Sequence, residues 1–393
     1  VLTLFRNRLF LAIASGHFGV DILNSAGPVL LAVLSRSWGL SYAQIGFALT
    51  LYTLLGSLSQ PVFGWLADRR QGRPAVLAGL GVAWIALCFG AAALAQSWVT
   101  LLPCFLLAAL GSGLFHPIGT ASAVAAHPTR AGSATALFFF CGQVGLAIGP
   151  ALGGFLFRVS GNLGLIPLCV FLLLPGGLLL TAPGGARTPR PRSRFVSTRA
   201  RTAGGIVAAF IALVALRSSI QAVYTAFLPK LFADRNWDSV AYGMLAGAFM
   251  LAAAIGNIVT GELADRRGMR MATVGPLLLS VPAGLVCLWA PTPTAAFVAS
   301  ALAGLLIGGQ HSVLVVHAQR LIPAQQGFAA GLILGFTFAA GGIGTWVVGM
   351  VADQVGLLRA LQAITLLGLP AALLALTLPG SPASQPVAVA AEA

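Results

Sequence analysis

Asp21 and Arg217 each fall near the middle of a long apolar run, 196 residues apart. A charge held in hydrocarbon costs at least about 2.5 kcal/mol unless a partner or a function offsets it. His17 precedes Asp21 by four residues and Gln221 follows Arg217 by four, so on a helix each shares its neighbour's face. A carboxylate one turn from an imidazole is suited to exchanging a proton, and a guanidinium fork is suited to a carboxylate or phosphonate. Opposite charges at equivalent depths predict that Asp21 and Arg217 meet beside one central cavity, with Asp21 or His17 as the proton-coupling group. The competing reading is a buried ion pair that aligns two halves and titrates nothing. Which of Asp21 and His17 titrates stays open, because a coupled pair shares its protons.

His116 and His311 sit at matched positions in two further apolar runs, with Pro117 beside the first and Gln310 beside the second. A symmetric pair of imidazoles facing a cavity would bind an anion or relay protons. Arg217, His116, His311, Gln310, Gln221, Asn24, Gln143 and Tyr224 are the candidate substrate contacts. Of Phe138, Phe139 and Phe140, two are expected to face lipid, and His127 and His317 lie nearer the span ends, at the interface.

The elements that must position these groups follow from composition. The chain has 393 residues, 58% hydrophobic and only 8% charged, far from the roughly 25% charged of a soluble domain. Runs long enough to cross a bilayer number twelve: 9–34, 43–67, 74–95, 98–126, 131–157, 163–182, 204–230, 239–264, 272–290, 294–319, 327–352 and 357–378. The first is too long, and too polar at its centre, for a cleaved signal peptide. A Pro-, Gly- and Arg-rich linker, 183–203, divides residues 1–182 from 204–378, each a bundle of six helices, and 379–393 reads as a disordered tail. The fold class is therefore all-α integral membrane, twelve transmembrane helices in two pseudo-symmetric six-helix bundles.

Sixteen of the 22 cations fall on the side of the N-terminus and five on the other, so that side, with both termini, is expected to be cytoplasmic. The +14 charge thus reports orientation, and nucleic acid is not an expected partner. The five Cys lie in apolar runs without metal-ligand spacing; no metal or cofactor is expected. No His-Glu-x-x-His, Gly-x-Ser-x-Gly or phosphate-cradling loop occurs, which disfavours a membrane-embedded enzyme, and twelve spans disfavour a seven-helix receptor.

The halves repeat each other. Gly64, Ala67, Asp68, Arg69, Arg70 and Arg73 recur as Gly261, Ala264, Asp265, Arg266, Arg267 and Arg270, 197 residues later. Each copy closes one span and opens the next, where a carboxylate and several Arg meet unpaired helix-end groups. The Gly of each copy is expected to admit a neighbouring helix closely, and the cluster is the candidate gate (Gly64, Asp68, Arg69, Arg73, Gly261, Asp265, Arg266). At an offset of 195, His116 maps to His311, Gly149 to Gly344 and Gly154 to Gly349.

The Gly64-x-x-Ala-Asp68-Arg loop resembles the signature loop of the major facilitator superfamily, and the resemblance covers nearly the whole chain. His17-Phe-Gly-Val-Asp21, Gly39-Leu-Ser-Tyr-Ala-Gln-Ile-Gly46, Gln60-Pro61-x-Phe-Gly64 and His116-Pro117-x-Gly119 resemble its fosmidomycin resistance branch. Gly145-x-x-x-Gly149-Pro150-x-x-Gly153-Gly154 is similar to a motif of proton-coupled antiporters; the second half departs from it, with Thr345 opposite Pro150. The close Gly spacing permits tight helix contact, and Pro150 is expected to interrupt the helix where bending accompanies gating. The resemblance implies a monomeric transporter of a bacterial inner membrane that exports a small anionic antibiotic or metabolite against protons. The alternative within transport is proton symport importing a small organic anion.

Overall fold

The computed structural model describes residues 2–69, 74–181, 204–321 and 326–378, with side chains except at 2–3, 68–69, 319–321 and 326–331. Arg73, the linker 183–203 and the tail 379–393 lie outside the described residues, as do the side chains of Asp68 and Arg69.

Among the described residues the chain is helical throughout. The first half comprises α1 (Arg8–Trp38), α2 (Tyr42–Arg69), α3 (Pro74–Ala93), α4 (Trp98–Ala126), α5 (Ala131–Ser160) and α6 (Leu165–Leu180). The second comprises α7 (Gly204–Asp234), α8 (Ser239–Arg267), α9 (Met269–Trp289), α10 (Pro293–Gly308), α11 (His311–Leu321), α12 (Gln326–Val355), α13 (Leu357–Leu366) and α14 (Gly368–Ala375). Eleven helical stretches are long and apolar enough to cross a membrane; one of them, Pro128–Leu180, contains both α5 and α6, which gives the twelve crossings read from hydropathy.

Local chemistry sets the ends. Asn7 caps α1, its Oδ1 accepting from the amides of Leu9 at 2.9 Å and Phe10 at 3.2 Å. Gly39, at φ 63°, ends α1 in the left-handed region that disfavours a side chain, and its amide returns to the Ser35 carbonyl. Two expected spans are not continuous. The tenth breaks at Gly309–Gln310, between α10 and α11, and the twelfth breaks at Leu367, between α13 and α14. α5, by contrast, runs uninterrupted through Pro150, so the expected interruption there is absent.

The halves meet along α2 with α12 and α5 with α8, while α1 packs on α5 inside its own half. Polar contacts between the halves gather at the end that carries the α1–α2 and α7–α8 loops. Asp353, at the end of α12, accepts from the first amides of α2, Tyr42 at 2.8 Å and Ala43 at 3.0 Å, which satisfies orphan donors at a helix start. The Tyr42 hydroxyl donates to Asp234 Oδ2 at 2.9 Å, and Asp234 also pairs with Lys230 one turn earlier on α7. Arg36 donates to Asn236 at 3.2 Å, and Ser239 Oγ donates to the Gly154 carbonyl at 2.7 Å.

Candidate functional site

The site grows from α1. Its 31 residues place His17 and Asp21 one turn apart near mid-helix, both buried, with His17 Nε2 3.2 Å from Asp21 Oδ2. Asn24, one turn further on, donates from Nδ2 to Asp21 Oδ1 at 3.0 Å and to Ser112 Oγ at 3.2 Å, and accepts from the Tyr52 hydroxyl at 2.5 Å. From α4, His116 brings its Nε2 to 3.5 Å from Asp21 Oδ1.

The tautomers of the two imidazoles are constrained by their other nitrogens. His17 Nδ1 lies 2.8 Å from the Phe138 carbonyl, and His116 Nδ1 lies 2.8 Å from the Ser112 carbonyl. A carbonyl only accepts, so both Nδ1 atoms carry their hydrogens and donate. In a neutral ring Nε2 then holds a lone pair, and both lone pairs face one carboxylate. A hydrogen bond between His17 and Asp21 thus requires one further proton, either on the imidazole or on the carboxyl. The geometry leaves room for one proton among the three side chains. Asp21 is sequestered, at 8% side-chain exposure, whereas His116 reaches 22% and is the most exposed member of the cluster. The three ligand-capable atoms all lie within 4.8 Å of one another, a spacing that would also admit a small divalent ion.

α5 is what closes this centre. Phe138 stacks on His17, with ring centroids 4.0 Å apart at 26°, while Phe139 and Phe140 are exposed. At Gly142 an added Cβ would stand 2.5 Å from His17 Nε2 and 2.7 Å from Asp21 Oδ2, so a side chain there would push these two groups from their present positions. The seam continues through Gly145, Gly149 and Gly153, which face Phe18, Ile22 and Ser25, and Ala26 of α1, while Gly154 and Pro150 face Ser239 and Gly243 of α8. The Gly-rich motif therefore brings α5 against α1 and α8 at backbone distance.

Arg217 stands apart from this cluster. It is 1% exposed on α7, donates from Nη2 to the Gly308 carbonyl at 2.7 Å, and leaves its Nε–H without a partner. Asp21 makes its ion pairs with His17 and His116, so the expected pairing of Asp21 with Arg217 is not formed, and each group finds its contacts within its own half. His116, placed by sequence among substrate contacts, sits instead on the carboxylate. His311 is not mid-span but the first residue of α11, beside the break, within electrostatic reach of Arg217. Gln310 is fully buried in the break itself.

The remaining candidates scatter. Tyr224 belongs to the buried core that runs across both halves, hydrogen-bonded to Thr365 Oγ1 at 2.7 Å and stacked on Phe249. Gln143 is exposed on α5, and Gln221 is half-buried one turn from Arg217. The expectation that Gly64 and Gly261 admit close helices fails in this conformation: a Cβ at Gly64 would meet only Pro117 at 3.7 Å, and Gly261 faces open space. Asp265 lines a cavity of about 150 Å³ with Gly261, Met269, Ser312 and Val313, while Arg266 pairs with Glu262 at 2.5 Å. Sequence reasoning missed Ser112, Tyr52, Phe138 and Gly142. Of these, Gly142 carried a signal, because it extends the Gly145–Gly149 spacing backward by one turn.

Two six-helix halves, twelve crossings and a polar centre buried at mid-helix define a multi-pass membrane carrier. The chain belongs to the Major Facilitator Superfamily, whose profile matches residues 9–220 and 209–393. It is 29% identical over 365 residues to the MFS-type transporter YfnC of Bacillus subtilis, covering 89% of this chain and 88% of that one. It is 27% identical to the fosmidomycin resistance protein of Escherichia coli K12, covering 88% and 86%. Among solved structures, a bacterial homolog of the human lysosomal transporter Spinster, inward-facing and occupied, superposes with a TM-score of 0.81 at 16% identity, over 95% of this chain and 96% of that one.

Proposed function

We propose that the protein is a proton-coupled exporter of a small anionic antibiotic or metabolite, of the fosmidomycin type, working by alternating access. The observation that carries this reading is the His17–Asp21–His116 centre, whose committed Nδ1 atoms leave a place for a proton that only protonation of the cluster can fill. A buried carboxylate with no fixed cation is a poor structural device and a good proton carrier. Likeness to the fosmidomycin resistance protein, which covers most of both chains, supports the cargo class and the outward direction. Arg217, with His311, Gln310 and Gln221, is the proposed cargo side in the second half, and Gly64, Asp68, Arg69, Arg73, Gly261, Asp265 and Arg266 the proposed gate.

The charge asymmetry supports an orientation in a bacterial inner membrane with the Arg-rich loops and both termini on the cytoplasmic side, and with residues 183–203 linking the halves. The latched end formed by Asp353, Tyr42 and Asp234 is then the outer face, and the described conformation is closed outward.

Proteoliposomes containing the purified monomer and an imposed pH gradient test the reading. Fosmidomycin is expected to move opposite to protons. Movement in the same direction establishes symport instead, and no movement of any small anion removes the transport reading.

A further inference from the structure

A guanidinium buried to 1% exposure with one carbonyl for company is a charge without a counterion. Its Nε–H is unpaired, and none of the described ion pairs includes it. The carbonyl it does bind, Gly308, is the last residue of α10, where the tenth crossing breaks. Two residues on, Gln310 is fully buried; its Nε2 donates to the Leu306 carbonyl, and its Oε1 accepts nothing. α11 restarts at His311, so the positive end of an 11-residue helix opens beside the same break.

We propose that Arg217 and the α10–α11 break form an oxyanion subsite, selective for a carboxylate or phosphonate that carries a neighbouring hydroxyl or N–H. The unpaired Nε–H supplies a charge-assisted donor to the anion, and the unpaired Gln310 Oε1 supplies an acceptor for the adjacent donor. One donor and one acceptor left open together specify a ligand with both functions, because a bare anion would leave Gln310 unsatisfied. The subsite deepens the export reading and rests on it only for the direction of movement, since binding needs no gradient.

Thermal shift of the purified full-length protein, at pH 7 and constant ionic strength, tests this with glycolate and hydroxymethylphosphonate as probes and with acetate, methylphosphonate, chloride and glycolamide as controls. Glycolate and hydroxymethylphosphonate are expected to raise Tm in a saturable way, acetate and methylphosphonate less, and chloride and glycolamide not at all. Arg217→Gln should abolish the shift, and Gln310→Ala should weaken glycolate roughly tenfold while sparing acetate. Should Arg217→Gln fail to fold, Arg217→Lys keeps the charge without the fork and is expected to bind roughly tenfold more weakly. The measurement is made with no pH gradient, so a failure of gradient-driven movement in proteoliposomes leaves this result standing. A shift of equal size in the Arg217 variants, or no difference between oxyanions and chloride, overturns the subsite.

Discussion

His17 Nε2 faces Asp21 Oδ2 at 3.2 Å while His17 Nδ1 donates to the Phe138 carbonyl, so the two residues hold a proton between them whenever they are bonded. This relationship depends on three helices: α1 supplies the pair, α5 the carbonyl and the stacked ring, and α4 the second imidazole. Movement of α4 or α5 relative to α1 would therefore alter the contacts of His17, Asp21 and His116 directly, and under the proposed coupling a rocking motion and a protonation step become one event.

Gly142→Ala is expected to disable transport with modest loss of folding. The new Cβ would lie 2.5 Å from His17 Nε2, and overpacking of this kind costs about 1–3 kcal/mol. Initial rates in proteoliposomes should fall at least roughly tenfold, with Tm lowered by a few degrees. Wild-type rates in Gly142→Ala would show that α5 does not press on the proton centre.

His17→Ala and His116→Ala should differ in severity. His17 is buried and makes the shorter contact, so its loss strands a carboxylate oxygen, at about 1–3 kcal/mol, and removes the bond to the Phe138 carbonyl. His116 is partly exposed and 3.5 Å away, and Asn24 still binds the same oxygen. The expected ranking, read as gradient-driven accumulation across pH, is a near-complete loss for His17→Ala and a displaced pH profile with a retained maximum for His116→Ala.

The outer latch predicts a population shift. Asp353→Ala removes the acceptor for two α2 amides, and Tyr42→Phe removes the link to Asp234. Spin labels on Ser37→Cys and Arg359→Cys, both exposed near that end, in a background free of the native cysteines, should report longer distances in either variant. An unchanged distribution would mean that apolar packing alone holds the outer face shut.

Hydropathy made the twelve crossings legible, because a bilayer demands about twenty apolar residues whatever the packing around them. It could not show the break at Gly309–Gln310, since averaging over a window hides two polar-backbone residues inside an apolar run; the dense Gly304-x-x-x-Gly308-Gly309 was the available sign. Asp21 and His17 were legible as a pair through their spacing of four. His116 was legible as a functional candidate but not as Asp21's neighbour, because 95 residues and the rotation of two helices separate them. Equal positions in the two halves suggested that Asp21 and Arg217 meet. Repeat symmetry fixes depth, not facing, and each charge found partners within its own half.

The proton-centre claim is tested most directly by Asp21→Asn in proteoliposomes, which keeps the shape of the side chain and removes its proton chemistry. The variant is expected to exchange labelled cargo across the membrane at equal concentrations yet to accumulate none against a gradient when a pH difference is imposed. Uphill accumulation at the wild-type level would contradict the account and remove the His17–Asp21–His116 centre from the coupling mechanism.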